Sequence, residues 1–400
     1  MTPLHRLWRL LPPHLRREAL FTLMAAIAPR PSAAAQGGLP ITVAGYFRAV
    51  SGLGESARRV ADMLEAAGAP KVHRADLTAA LRQTAGGPLP EPPPAGPGTL
   101  IVAVNGPMLP WALRALGRRA VEGKRVIGYW AWELPKLAPD WERGYRFVHE
   151  IWAVSDFVAE ALRRPGGPPV TTVPYHVPDP EPAPLSRADF GLPEDAFIAL
   201  SVFDASSSVE RKNPVAAIRA HRQAFGERAD RVLVLKTYKT GMGGGAWQQV
   251  LAEAGGAFNI RILDREMSRQ EVWSLMRLSD AFVSLHRSEG FGMSLAESMR
   301  LGRPVVATGW SGNMDFMDGE SAMLVGCRLV PAQDERGTYS LPGAVWAEPD
   351  IGEAARGLIA LAEDPARRAA IAKAGRQRVG QLTAPLCGQR ALKAMGMTAG

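Results

Sequence analysis

Two carboxylates eight positions apart, Glu289 and Glu297, bracket the stretch Glu289-Gly-Phe-Gly-Met-Ser-Leu-Ala-Glu297. An apolar run ends just before it, so Glu289 is expected at the carboxyl end of a strand. Gly290 and Gly292 are expected where a helix begins. Glu297 then falls about a turn and a half past Gly292 and can reach the same pocket. The amides of Gly290, Phe291, Gly292 and Met293, with Ser294, suit phosphate oxygens at a helix start, and both carboxylates accept hydroxyl hydrogens. His286, at the head of this loop, joins the candidates. A second loop, Phe203-Asp-Ala-Ser-Ser-Ser-Val-Glu-Arg211-Lys212-Asn-Pro214, sets hydroxyls and two adjacent cations ahead of a helix opened by Pro214. That combination suits a diphosphate, and Lys236 in the next strand could add a third positive charge. A third loop carries Gly52 and Gly54. With Ala57 and Asp76 it matches a dinucleotide fingerprint, but six residues, 46–51, separate the preceding strand from the first glycine. The fingerprint's pyrophosphate turn follows its strand directly. The spacing therefore leaves a glycine-permissive loop before a helix over 55–67, with amides free to face an anion or a sugar.

The elements needed to hold these loops recur along the chain. Short apolar runs at 41–46, 99–104, 125–130, 151–155 and 171–174 alternate with helical segments. Four prolines in the seven residues 178–184 read as a linker. The alternation then restarts at 197–203, 232–237, 260–263, 281–285, 305–308 and 323–325. Continuously apolar strands alternating with helices predict parallel sheets covered on both faces. The expected class is α/β, with two Rossmann-like domains facing across a cleft and ligands at the carboxyl ends of the strands. The expected division is a basic segment 1–38, a first domain 39–177, a second domain 185–375, and a final helix 376–400 returning to the first.

A chain of 400 residues exceeds what one core usually serves. Two cysteines cannot staple it, which excludes a disulfide scaffold and points to a reducing, cytoplasmic setting. No apolar run approaches the roughly 20 residues of a membrane span. The net charge of +8 is concentrated at the ends. Residues 1–38 carry +4 and residues 366–400 carry +7, leaving −3 on the body. Without a basic stripe of its own, the body is not expected to read nucleic acid. Leu4, Leu7, Trp8 and Leu11 among arginines predict an amphipathic surface segment rather than a signal peptide, whose charge and proline placement fit poorly. Such ends suit an anionic membrane, at the inner face.

Taken together, Glu289-x7-Glu297 around Gly290-Phe-Gly292 resembles the signature of the retaining GT-B glycosyltransferases of family GT4. Ala153-Val-Ser155-Asp156-Phe157, Val173-Pro174, Arg211-Lys212-Asn213-Pro214 and Gly52-Leu-Gly54-Glu55 agree with it, over roughly residues 40–380. The resemblance implies a nucleotide-sugar donor, a UDP- or GDP-sugar, held mainly by the second domain, and a glycan or lipid-linked acceptor. It implies that Lys212 with Arg211 neutralises the diphosphate, that Glu289 holds the donor sugar and that Glu297 holds the ribose. The family pattern has an arginine where this chain has Ser206, for which Arg211 and Lys236 are the candidate replacements. It often has a histidine in the stretch occupied here by Tyr129-Trp-Ala-Trp-Glu133, so Trp132 and Glu133 are candidates for the sugar or acceptor site. No Asp-x-Asp occurs and the seven histidines show no ligand spacing, so neither a metal nor a cofactor is expected. Competing readings are an NAD-dependent oxidoreductase, using Gly52, Gly54 and Asp76, and a non-catalytic sugar or nucleotide binder.

Overall fold

The computed structural model describes residues 13–35, 37–83 and 92–397. The expected Leu4, Leu7, Trp8 and Leu11 pattern lies outside them. Two six-stranded parallel sheets form the frame. The first contains β1 (Ile41–Gly45), β2 (His73–Asp76), β3 (Gly98–Ala103), β4 (Lys124–Trp130), β5 (Glu150–Ala153) and β6 (Val170–Thr172), in the order β2-β1-β3-β4-β5-β6. The second contains β7 (Phe197–Val202), β8 (Arg231–Thr237), β9 (Ile260–Asp264), β10 (Ala281–Ser284), β11 (Val305–Thr308) and β12 (Met323–Val325), in the order β12-β11-β10-β7-β8-β9. β1 and β3 are buried along their whole length, as strands covered by helices on both faces must be.

Two features escape the apolar pattern. β2 is a charged edge strand, His-Arg-Ala-Asp, without an apolar run to reveal it. β13 (Cys327–Pro331) and β14 (Val345–Pro349) pair as an antiparallel hairpin whose first strand is mostly exposed.

The helices used below are α1 (Pro13–Ile27), α2 (Gly52–Ala66), α3 (Leu109–Leu116), α4 (Val209–Lys212), α5 (Pro214–Phe225), α6 (Gly244–Ala254), α7 (Arg269–Leu278), α8 (Met293–Arg300), α9 (Pro365–Val379) and α10 (Ala384–Ala394). In the second sheet the chain winds one way from β7 to β8 and the other way to β10. The crevice between β7 and β10 is therefore the switch point where such sheets bind ligands. The loops after these two strands are the ones that carry Arg211, Lys212 and Glu289.

The chain returns to the first domain at residues 380–383, where Val177 N–H donates to Leu382 O at 2.7 Å. α9 still packs on the second domain, with Gly375 against Ser321 and Met299. α10 lies along α2, burying Cys387, Gly388, Ala391 and Leu392. At the other end, α1 packs on α3 through Phe21 and Trp111, whose rings stand 4.6 Å apart. Right-handed crossovers put α2, which leads leftward to β2, and α3, which leads rightward to β4, on opposite faces of the sheet. The two basic ends, which in the sequence could have shared one face once the last helix crosses back, are thereby separated. Most of the C-terminal charge stays with α9 on the second domain.

A Cβ at Gly388 would lie 1.8 Å from Met63 O and 2.7 Å from the Ala67 Cβ. In an open helix Gly→Ala stabilises by up to about 1 kcal/mol; here overpacking reverses the sign. Gly388→Ala is expected to lose about 1–3 kcal/mol, read as a lower urea midpoint at unchanged slope.

Candidate active site

The loops after β7 and β10 are clamped to each other before any ligand is considered. Arg287 N–H donates to Arg211 O at 2.7 Å, and Asn213, in the left-handed region at φ +52°, donates its side-chain amide to Leu285 O at 3.0 Å. Ser208 caps α4 by accepting the Arg211 N–H at 3.2 Å, and Pro214 opens α5. This geometry delivers Lys212 Nζ to Glu289 Oε1 at 2.5 Å and Arg211 Nη1 to Glu289 Oε2 at 3.4 Å. Glu289 is 8% exposed. Burial alone would raise its pKa, but Lys212 and Arg211 outweigh burial and hold it at about 2. Glu289 is thus an ionised acceptor at any working pH, unsuited to act as a general acid.

The Glu289 loop is also the seam between the domains. Ser155, at the end of β5, donates its hydroxyl to Gly290 O at 2.6 Å. A Cβ at Gly290 would stand 2.9 Å from Trp132 O, and one at Gly312 would stand 2.1 Å from Gly290 O. Only glycine allows backbone to approach backbone this closely from two sides. Gly292, at φ +96°, turns the chain into α8, which presents the amides of Met293 and Ser294. The Phe291 ring packs against Tyr175 and Phe316, at 5.3 and 5.0 Å, leaving its amide as the group that could serve a ligand.

Arg211 is 2% exposed. It donates to Ser288 O and Ser207 Oγ, each at 2.8 Å, while its Nε is buried without a partner. Its other neighbours were not legible in the sequence. Tyr339, from the loop of the β13–β14 hairpin, lies 5.6 Å beneath the guanidinium and donates its hydroxyl to Glu133 Oε2 at 3.1 Å. The hairpin loop turns around Asp334, whose carboxylate accepts the N–H groups of Thr338, Tyr339 and Ser340. Glu335 accepts Gly245 N–H at the head of α6 at 3.0 Å, and Arg336 donates to Ser206 O and Met242 O. On the first-domain side Lys136 Nζ meets Pro342 O at 2.5 Å. The hairpin is a strap fastened to both domains beside the candidate site.

Several expected residues stand elsewhere. Lys236 is not brought to Glu289; its ammonium donates to Thr237 O and Arg265 O at 2.9 and 2.7 Å, and burial lowers its pKa to about 8. His286 is fully buried against Asn313 and Ser284. Trp132 turns its ring inward between Trp141 and Tyr339, whereas Glu133 keeps its carboxylate beside Arg211. Gly52 and Gly54 are not in a loop: they form the first turn of α2, capped by Ser51. A Cβ at Gly54 would meet Ala49 O at 2.2 Å, and Gly52 faces the Met293 side chain across the cleft. Asp76 is engaged by Thr78 and Arg48. The oxidoreductase reading thus loses both its pyrophosphate turn and its ribose acid. Glu297 does not join the Glu289 cluster; it lies against Arg59, Arg269 and Trp273. Among the described residues no His, Cys, Asp and Glu side chains group as a metal site.

Residues 187–378 match the family model described as Glycosyl transferases group 1. No curated protein matches the chain in sequence. Among solved structures, Anabaena HepE, in complex with UDP and glucose, superposes with a TM-score of 0.63 at 14% identity, over 89% of this chain and 99% of that one. The pneumococcal O-GlcNAc transferase GtfA, with UDP and GlcNAc, gives 0.51 at 12% identity over 75% of this chain and 56% of that one. S. aureus TarM gives 0.54 at 11% identity over 74% and 55%. This chain thus spans little more than half the length of GtfA and TarM. At these identities the likeness is one of fold, and that fold is GT-B.

The buried imidazoles set an acid limit on this architecture. Burial lowers the pKa of His176 and of His221 to about 4, against about 6.5 in the unfolded chain. Below pH 6.5 the unfolded state binds protons that the folded state refuses. Their stabilisation is therefore complete above 6.5 and lost as pH falls toward 4, up to about 3 kcal/mol each. Thermal unfolding between pH 7 and 4.5 should show this decline, and His221→Leu should flatten part of it.

Proposed function

From a GT-B fold whose second half matches the group 1 glycosyl transferases, we propose that the protein moves a sugar, with retention, from a nucleotide-sugar donor to an acceptor hydroxyl. The observation that carries this reading is the Lys212–Glu289 pair at the β7/β10 switch point, backed by Arg211 and facing the start of α8. A donor would exchange the partners of that pair. Lys212 and the amides ahead of α8 would turn to the diphosphate, and Glu289 would accept hydroxyls of the transferred sugar. The acceptor hydroxyl attacks the anomeric carbon from the face the diphosphate leaves. The departing phosphate oxygen takes its proton, so no protein nucleophile is needed. The chain's contribution is positioning and charge neutralisation in a cleft that excludes water. The UDP complexes of HepE and GtfA favour a uridine donor. Glu133, held by Tyr339 at the first-domain wall, suits an acceptor or sugar hydroxyl. The chemistry requires neither metal nor cofactor.

Replacing Lys212 or Glu289 by alanine should lower transfer by about 10²–10³, the usual effect of deleting one charge-stabilising contact. The check is product formation over a panel of UDP-, GDP- and ADP-sugars, with EDTA leaving the wild type unchanged. Activity retained within a few-fold in Lys212→Ala would displace the diphosphate site.

The acceptor we propose is lipid-linked, met at the cytoplasmic face of a membrane. No described helix is long and apolar enough to cross one. α1, however, exposes Leu15 and the single stripe Leu20, Leu23 and Ile27, in a segment rich in arginine. Each basic residue near an anionic bilayer adds on the order of 1 kcal/mol. The full chain should co-sediment with anionic vesicles at low salt and a chain starting at Leu39 should bind less. Equal binding to neutral vesicles would count against the electrostatic part.

A further inference from the structure

Glu297 belongs to the second domain, yet its strongest neighbour comes from the first. Arg59, on α2, is 1% exposed, and all of its guanidinium nitrogens are used. Nε donates to Glu55 Oε1 at 2.7 Å, Nη1 to His176 O at 2.8 Å, and Nη2 to Glu297 Oε1. Arg269, on α7, bridges the same two carboxylates, meeting Glu297 Oε1 at 2.7 Å and Glu55 Oε1 from its other amine. Trp273, one turn further along α7, donates its indole N–H to Glu297 Oε2 at 3.1 Å. Two arginines and two glutamates therefore meet across the cleft around a guanidinium that water does not reach, with Arg58 adding a third cation on the outer oxygen of Glu55 at 3.1 Å.

We propose that Arg59 is a positioning residue for the donor's ribose: it holds Glu297 from the opposite domain, so that the ribose site is complete only when the two domains are closed together. The proposal rests on the nucleotide-sugar reading above. A carboxylate offers about four lone-pair sites. Arg59 and Arg269 take those of Oε1 and Trp273 takes one of Oε2, which leaves one acceptor site, on Oε2, for a hydroxyl. Glu297 can thus receive a ribose hydroxyl without giving up any of its partners, and its rotamer is set before the ligand arrives. The planar fork of arginine matters here, because three acceptors in one plane are bonded at once; lysine offers one compact charge. Closure and ribose binding become one event, since separating the domains would strip Glu297 of Arg59.

The test is calorimetric titration of the full chain with UDP and with 2′,3′-dideoxy-UDP, or with the guanosine pair if GDP is the nucleotide bound. In the wild type, loss of the hydroxyls should weaken binding by on the order of tenfold to a hundredfold, the worth of a hydrogen bond to a charged group. In Arg59→Met the two nucleotides should bind within about twofold of each other, as they should in Glu297→Gln. Arg59→Lys keeps a buried positive charge, which protects the fold, and should also lose most of the discrimination. If both Arg59 variants weaken the two nucleotides alike and keep their ratio, Arg59 merely joins the domains and the proposal fails. A wild type that binds UDP without discriminating removes the ribose role of Glu297 and this proposal, but leaves the donor reading standing. A wild type that binds neither nucleoside diphosphate sinks the donor reading first.

Discussion

A carboxylate that is nearly buried stays ionised only if cations stand against it. Glu289 meets that condition through Lys212 and Arg211, which arrive from a different strand and must be held within ångströms of it. Much of the second domain follows from this requirement. β7 and β10 are neighbours, so their loops emerge side by side. Asn213 adopts a left-handed backbone and ties one loop to the other. Ser288 gives its carbonyl to Arg211 and its hydroxyl to Glu133 O, so the same residue fixes the cation and the first-domain wall. Removing one partner of such a pair leaves the other charge buried, which is why the arrangement is all or nothing.

The interface between the domains joins two kinds of contact that fail differently. At Gly290 and Gly312 it is steric: backbone touches backbone, and a single added methyl would force the loops apart. At Arg59 it is electrostatic: the guanidinium has Glu55 within its own domain but meets Glu297 only while the domains are together. The β13–β14 hairpin adds a third tie, with Tyr339 and Lys136 reaching between the two sides. In a cleft tied in this way the groups around Glu289 are aligned before a substrate enters. That is the condition under which fixed dipoles and charges lower a barrier most effectively.

The ends of the chain show how topology can overrule charge. In the sequence they form two basic segments that could act as one patch. In the fold the handedness of the crossovers sends α1 and α10 to opposite faces of the first sheet, and α9 holds its arginines on the second domain. What remains at the N-terminal face is an exposed leucine and isoleucine stripe. An apolar stripe in one arginine-rich segment, rather than the charge of both ends summed, is the feature that could meet a lipid surface.

The sequence by itself was enough for the α/β class, for eleven of the twelve parallel strands, and for the two loops that bring Arg211 and Lys212 to Glu289. Apolar runs are recorded locally because a strand buried on both faces must be apolar along its length. The Glu289–Glu297 spacing and the Arg211-Lys212 pair are local for the same reason, since one turn and one helix start place them. β2 stayed hidden because an edge strand need not be apolar, and the hairpin because its first strand is mostly exposed. Tertiary structure alone decided who faces whom. It gave Glu297 to Arg59, 238 positions away, and Glu133 to Tyr339, 206 positions away. It turned Lys236 from an expected phosphate ligand into a buried donor to carbonyls. It also made Gly52 and Gly54 the first turn of a helix. Partners so distant leave no periodicity in the chain; they are chosen only when two sheets, each complete in itself, close on one another.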